Sequence, residues 1–346
     1  PTGETALFVL AGTEIDRRLD IAALLKGELG RPAGPDGQEH KSVFQDGTLL
    51  LEPVKEGEPE MSGRLLLSPE KVSVFLSGRP WRPRFGSNFP ASVLESKMGW
   101  DDIILPPATR QELTMIQCWM ENHRQLEADA NLGKRIRPGY RALFYGPPGT
   151  GKTITATLLG KQYGCEVFRI DLSLIISKYI GETEKNLQQV FDVAAHKNWI
   201  LFFDEADALF GKRTNVQSAH DRFANQEISY LLQKVEEHPG LIILASNFKN
   251  NMDTAFVRRF QSVVHFPLPN ERERLQLWQQ MLPSSIEVEQ VINFRMLARN
   301  YELSGASILN VIHGAGIRAL AEKRAITESD LVAGIQSEYL KNGKSV

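Results

Sequence analysis

Ala142-Leu143-Phe144-Tyr145, followed by Gly146-Pro147-Pro148-Gly149-Thr150-Gly151-Lys152-Thr153, reads as a buried strand that runs into a glycine-rich loop and opens a helix. The glycines let backbone N–H groups turn inward around an anion. The helix that begins here aims the positive end of its dipole at the same point. Lys152 is spaced to reach β- and γ-phosphates, and the Thr153 hydroxyl is spaced to ligate Mg²⁺. A Gly/Pro turn that binds nothing does not need every one of these positions between a strand and a helix. The stretch is read as a nucleotide site.

Working outward, short apolar runs alternate with helical stretches from Gly99 onward, the pattern of a parallel sheet with crossover helices. The expected strands are Ala142–Tyr145, Glu166–Ile170, Ile200–Phe203, Leu241–Ala245 and Val263–Phe266. Ligands of such sheets bind at the carboxyl ends of the strands, and Asp204-Glu205 follows the third run there. Asp204 is placed to hold Mg²⁺, usually through water, and Glu205 to polarise a water for in-line attack on a γ-phosphate. Two acids after a strand would form a loop turn if they stood alone. Beside a phosphate loop the catalytic reading dominates. Asn247, after Leu241–Ser246, can orient the attacking water beside Glu205, although an isolated Asn there is a turn former.

Residues 1–96 read as a small α/β unit with a linker. Thr13 to Leu25 has helical periodicity through Ile15, Leu19, Ala22 and Ala23, and a Gly/Pro-rich loop spans Gly30 to Gly37. Leu49–Val54 and Leu65–Leu67 look like strands, and Ser68-Pro69-Glu70 starts a short helix. Arg79-Pro80-Trp81-Arg82-Pro83-Arg84 is basic and aromatic, but its two prolines favour a stiff linker over a contact with phosphate or a partner. After Pro269 the pattern is helical. Thr327-x-x-Asp330 makes a capping box for the last helix, whose apolar positions are Leu331, Ile335 and Tyr339. The expected division is therefore 1–96, 97–268 and 269–346.

Composition removes several classes. With 346 residues the chain is long enough for two or three domains, each with its own core. Forty Lys and Arg against 42 Asp and Glu leave a net charge of −2, with no basic excess to hold nucleic acid. Two cysteines, Cys118 and Cys165, make no disulfide framework and fit a reducing, cytoplasmic setting. The seven histidines lack metal-ligand spacing. Apolar runs such as Trp199–Phe203 fall far short of the ~20 residues that span a bilayer. The first residues do not read as a signal peptide. The chain opens on Pro1 rather than Met, so it reads as a fragment whose native start lies upstream.

These residues together resemble the AAA family of ATPases, within the wider AAA+ superfamily. The resemblance runs from about Gly99 to Lys344 and rests on several stretches. They are Trp100-Asp101-Asp102-Ile103, the phosphate loop, Asp204-Glu205-Ala206-Asp207, Asn247, Asp253-x-Ala255-x-x-Arg258-Arg259-Phe260 and Ser304-Gly305-Ala306. It implies a P-loop core with a five-stranded parallel sheet in the order 5-1-4-3-2, a C-terminal helical lid, and a small N-terminal α/β domain outside it. It implies ATP and Mg²⁺ as cofactors, bound between core and lid along Gly146–Thr153 and Ile154, with adenine near Asp102-Ile103 and Gly305-Ala306. It also implies a homo-oligomeric ring, usually a hexamer.

In this family arginines at Arg258 and Arg259 reach the neighbouring subunit's γ-phosphate, and such a finger contributes a factor of ~10³ or more. Relatives usually separate the two with Pro-Gly. Here they are adjacent, which leaves open which one is the finger; Arg258 is favoured, with Arg259 assisting. Ser307 stands where many relatives carry Asp, and no clear lid arginine is present. Lys178-Tyr179-Ile180-Gly181 looks like a first pore loop, in which an exposed aromatic grips an extended polypeptide and Gly lets the loop move. Tyr179 packed within its own subunit is the plainer alternative. Gly211-Lys212-Arg213 to Asn225 would fall near a second pore loop.

The resulting expectation is an ATP-hydrolysing ring that remodels or threads a protein substrate. The alternative is a nucleotide-switched docking factor that threads nothing. Tyr140–Gly146 and Ala219–Asn225 further look like the ATPases of bacterial contractile injection system clusters, which points to particle assembly or cargo loading.

Overall fold

Successive residues of the inner strands point to opposite faces of one sheet, and both faces are covered. Leu143, Leu201, Phe203, Ile242 and Leu244 enter one buried cluster. Their neighbours Ala142, Phe144, Ile200, Phe202, Ile243 and Ala245 enter the other. That period of two, buried on either side, turns the sequence runs into continuous hydrophobic strands rather than alternating ones.

The structure is a computed structural model. It describes residues 49–51, 64–67, 69–78, 82–83, 85–86, 89–170, 182–195, 197–207, 229–247, 257–341 and 343. The expected helix at 13–25, the loop at 30–37, most of 79–84, the loop Lys178–Gly181, the 211–225 stretch, and Asp253 and Ala255 lie outside the described residues.

The chain divides into two units, Pro1–Pro83 and Arg84–Val346. In the first, β1 (Leu49–Leu51) pairs antiparallel with β2 (Leu65–Leu67), and α1 (Pro69–Ser77) follows.

The second unit contains β3 (Ala91–Leu94), α2 (Pro107–Ala128), β4 (Tyr140–Tyr145), α3 (Lys152–Tyr163), β5 (Glu166–Ile170), α4 (Glu182–Ala195), β6 (Trp199–Phe203), β7 (Leu241–Ser246) and β8 (Ser262–His265). Its sheet has the order β3-β5-β6-β7-β4-β8. The run from β8 to β5 is parallel throughout and keeps the expected order 5-1-4-3-2. The sheet is not limited to five strands, however. β3 adds an antiparallel edge beside β5, with Ala91 opposite Ile170. Ala91-Ser92-Val93-Leu94 is too short and mixed to stand out as a strand, and it lies inside the segment expected to precede the core. Its pairing, and the division at Pro83, put residues 84–96 with the sheet.

After β8 come α5 (Glu271–Gln280), α6 (Phe294–Asn300), α7 (Gly305–Glu322) and α8 (Glu328–Lys341). They close around a separate core of Trp278, Leu297, Ile308, Val311, Leu331 and Ile335. The capping box of α8 forms in both directions: Asp330 N–H donates to Thr327 Oγ1 at 3.3 Å, and Thr327 N–H to Asp330 Oδ2 at 3.1 Å. Arg324 adds a bidentate pair that holds the Asp330 carboxyl well below the usual carboxylate range.

One buried cation ties strand to helix. Arg141 on β4 is 3% exposed. Its guanidinium donates to Val235 O (3.0 Å), Gly139 O (3.0 Å), His238 O (3.3 Å) and Glu236 O. A cation thus gathers the end carbonyls of the helical stretch 229–237, where the dipole is negative. His238 beside it packs edge-on to Phe191, with both ring nitrogens buried and unpartnered.

Burial first, and then Arg141, push His238 down to about 4 from an ordinary 6.5. The unfolded chain therefore takes up a proton below pH 6.5 that the folded chain refuses until near pH 4. Stability should fall across that window by on the order of 3 kcal/mol. Melting midpoints measured from pH 7 to 4.5 should show a drop that is smaller in His238→Leu.

Candidate active site

The loop after β4 keeps its shape because three of its glycines occupy backbone conformations closed to other residues. Gly146, Gly149 and Gly151 have φ of +146°, +75° and +101°. A Cβ on Gly146 would overlap the Phe266 carbonyl oxygen, so the turn out of β4 lies directly against the end of β8. Gly151 caps α3, and the Thr155 N–H closes the first helical turn on its carbonyl at 2.9 Å. Thr150 Oγ1 donates back to Pro147 O at 2.8 Å.

Lys152, at the start of α3, is only 7% exposed. Its ammonium donates to Gly146 O at 2.6 Å, Pro147 O at 3.0 Å and Asn247 Oδ1 at 3.2 Å. Burial pulls its pKa below the usual lysine value, and the Asp204 and Asp207 carboxylates oppose that shift. The lysine therefore sits as a desolvated cation among oxygens, at the place the sequence assigned to phosphate.

β6 delivers Asp204 and Glu205 to the same edge. Asp204 Oδ1 accepts from the Glu205 N–H at 3.0 Å, and Oδ2 lies 3.6 Å from Arg169 Nε. Glu205 has φ of +51°, uncommon for any residue but Gly, Asn or Asp, and its side chain is exposed to the cleft. The turn is fastened to β7 by Ala206 N–H donating to Ala245 O at 2.8 Å. Asp207 adds two bonds: Oδ2 accepts from Asn247 N–H at 3.0 Å and Oδ1 accepts from Ser246 Oγ.

These groups open onto one cleft of about 410 Å³. Of the expected residues, Asp102, Ile103, Pro148 to Ile154, Asp204, Glu205, Asn247, Gly305 and Ala306 line it. Gly146 and Pro147 do not; they act behind it, through their carbonyls on Lys152. The apolar wall includes Met98, Leu105, Leu277, Met281 and Leu309, which sequence reasoning missed. Each is an ordinary apolar residue of an amphipathic run, and nothing local separates a wall position from a core position. Asp207 was quoted within its motif without a role, because its function lies in bonds to a strand far along the chain.

The lid closes the cleft by direct contact. Ala306 N–H donates to Gly149 O at 3.2 Å. A Cβ on Gly149 would lie 2.6 Å from Ser304 Oγ and 2.7 Å from the Ala306 Cβ. Ser304 caps α7 by accepting from the Ser307 N–H at 3.2 Å, and its hydroxyl lies 3.2 Å from the Ser307 hydroxyl. Ser307 therefore belongs to the cap at the loop contact.

Thr153 and Asp204 supply one hydroxyl and one carboxylate to the cleft lining. That hard oxygen set fits Mg²⁺ arriving with phosphates, which needs only one or two protein ligands. Arg258 and Arg259 stand apart from the cleft lining, exposed on the turn before β8. Arg259 pairs with Glu236, whose other oxygen accepts from Arg137 at 2.6 Å. Among the described residues Arg258 makes no ion pair.

The pattern of the ATPase family associated with various cellular activities (AAA) matches residues 142–268. This stretch resembles that family. It contains the phosphate loop, the β6 acids, Asn247 and both arginines, while the matched stretch stops before the lid. The proteasome-activating nucleotidase of Archaeoglobus fulgidus is 33% identical over 215 residues, covering 60% of this chain and 54% of that protein. The probable 26S proteasome regulatory subunit 10B of Caenorhabditis elegans is 30% identical over 210 residues, covering 58% and 52%. The chain thus spans about half the length of these curated relatives. Among solved structures, the AAA domain of FIGL-1 in complex with ADP superposes with a TM-score of 0.55 at 23% identity, covering 70% of this chain and 85% of that one. The α/β fold of the AAA domain with its helices is shared with it. No helix among the described residues is long and apolar enough to cross a membrane.

Replacing Gly149 by Ala forces a Cβ into the lid contact at positive φ. It should destabilise the unit by about 1–3 kcal/mol. The change should be seen as a lower melting midpoint and faster amide exchange at Ser304–Ser307.

Proposed function

We propose that this chain is an ATPase subunit of a ring motor that remodels or threads protein substrates. One observation carries the reading: Lys152, Thr153, Asp204, Glu205 and Asn247 converge on a single cleft that the lid residues Gly305 and Ala306 also line. ATP would lie with its base against Ile103, Leu277, Met281 and Leu309 and its phosphates over the start of α3. Lys152 would turn its ammonium from the loop carbonyls toward the β- and γ-phosphates. Mg²⁺, held by Thr153 and Asp204, supplies neutralisation of charge on those phosphates. Glu205 accepts the proton of the attacking water, and Asn247 holds that water in line. The relatives named as proteasome ATPases support a protein as the substrate.

The finger belongs to Arg258. Arg259 is committed to Glu236 within its own subunit, whereas Arg258 is exposed and without an ion pair among the described residues. Within this reading Tyr179 grips the substrate in the pore, hexamers are the working form, and the compartment is a bacterial cytoplasm. The likeness of Tyr140–Gly146 and Ala219–Asn225 to injection-cluster ATPases supports assembly or cargo loading of a contractile particle as the work.

Glu205→Gln should bind ATP with unchanged affinity, lose turnover, and retain its substrate in pull-downs with ATP. Continued hydrolysis in that variant removes Glu205 from its role. Tyr179→Ala should keep basal hydrolysis and lose its stimulation by an unfolded polypeptide. If the wild type shows no such stimulation, the nucleotide-switched docking factor is the better account. Arg258→Ala should lower kcat by roughly 10³-fold with nucleotide affinity retained. Arg259→Ala should lower it far less, and the reverse ranking would exchange their roles.

A further inference from the structure

We infer that Asp207 is a positioning residue for hydrolysis, acting through Asn247. The inference rests on the ATPase reading above and adds to it a residue that touches neither the nucleotide nor the cleft surface.

Asp207 is half-buried at the end of the β6 turn and absent from the cleft lining. Its two carboxylate oxygens are used separately. Oδ2 takes the backbone N–H of Asn247 at 3.0 Å, and Oδ1 takes the Ser246 hydroxyl. Both donors belong to the last two positions of the segment that carries Asn247 to the cleft. Asn247 in turn places its side-chain oxygen 3.2 Å from Lys152 Nζ. A chain of bonds therefore runs from the acidic turn, through the end of β7, to the phosphate-loop lysine.

The same turn holds Glu205 at φ of +51°, and two kinds of tie fasten it to the β7 segment: the Ala206–Ala245 backbone bond and the Asp207 carboxylate. The first fixes height along the strand. The second is charge-assisted and grips the residue beyond the strand, where the ladder between β6 and β7 has already ended at Phe203–Leu244. Without it, the ties found among the described residues between this turn and β7 reach only to Ala245, two residues short of Asn247. A hydrolytic site needs a set distance between Glu205 and Asn247, because base and water-orienting group must address one water, and a misplacement near 1 Å costs as much as 10²-fold.

Asp207→Asn keeps the size but turns an amide NH₂ toward one of two donors. In steady-state hydrolysis it should lower kcat roughly 10- to 100-fold while the KM for ATP moves less than about threefold. A residue that merely supports the fold would move kcat, KM and the melting midpoint together. Coupling to Asn247 is read from the double variant. Asp207→Asn with Asn247→Ala should be no slower than Asn247→Ala alone, because the second change has already removed what the first displaces. Multiplying losses, or a kcat within twofold of wild type in Asp207→Asn, would overturn the inference. Absence of turnover in the wild type itself would instead overturn the ATPase reading.

Discussion

Asp204 and Glu205 follow the carboxyl end of β6, and Lys152 follows the loop after β4, so the charged groups at the candidate phosphate end of the cleft depend on strands that are buried on both faces. β6 and β7 are buried at every position, and β4 at all but its last. A slip of one residue in any of them would send Phe202 and Phe203, or Ile243 and Leu244, to the wrong layer. Each such side chain contributes about 1.5–3 kcal/mol by its burial, so register is enforced by the core and not by the site. With Tyr145 opposite Ser246, β4 and β7 end level, while β6 ends two residues earlier on the shared register, at Phe203 opposite Leu244. Gly146, Asp204 and Asn247 are each the first residue after their strand, at the same edge of the sheet.

The core supplies position, and Lys152 sets the local shape. A buried ammonium is costly unless oxygens surround it, and here two come from its own loop and one from Asn247. The loop curves around its own cation. Phosphate oxygens carry full charge and make stronger bonds to the ammonium than neutral carbonyls do. Under the proposed function, a nucleotide would enter a loop whose curvature is already formed. Gly149 extends this to the lid, since the carbonyl of the same glycine that bends the loop accepts the N–H of Ala306 at the start of α7. Loop and lid share one residue, so a change at the phosphates has a direct route to the helices.

How much of this was legible depended on whether a residue's meaning is local. The phosphate loop, Asp204-Glu205 and the continuous apolar runs of the strands each carry their signal within a few positions, and the strand order came with the family resemblance. β3 carried no such signal, because four mixed residues at an edge are stabilised by pairing with β5 and not by their own pattern. The cleft wall at Leu277 and Met281 was equally silent, as a helix face toward a ligand and one toward a core use the same residues. Asp207 stood inside a quoted motif, yet its role depends on Ser246 and Asn247, which only the sheet brings near. Arg141 belongs to the same class: an Arg inside a strand becomes intelligible once the carbonyls at 235–238 are seen to end on it.

The adjacent arginines show what geometry adds to residue type. Two identical side chains next to each other cannot be ranked by chemistry alone, and the usual spacing that would rank them is missing here. Their surroundings are unequal. Glu236 is held in place by its backbone, through Arg141, and its carboxylate is shared between Arg137 and Arg259. An exposed pair of this kind contributes little to stability, about 0–1 kcal/mol. It nevertheless orients Arg259 along its own subunit. Gln261 continues the same fastening, exchanging bonds with the Arg141 backbone in both directions at 2.9 and 3.0 Å. The turn is thus anchored on one side of Arg258 by two successive ties, and Arg258 projects from an anchored base with its own charge uncommitted among the described residues. A long cation with a fixed root and a free end is what reaching a neighbouring site requires, and adjacency to Arg259 is what fixes the root.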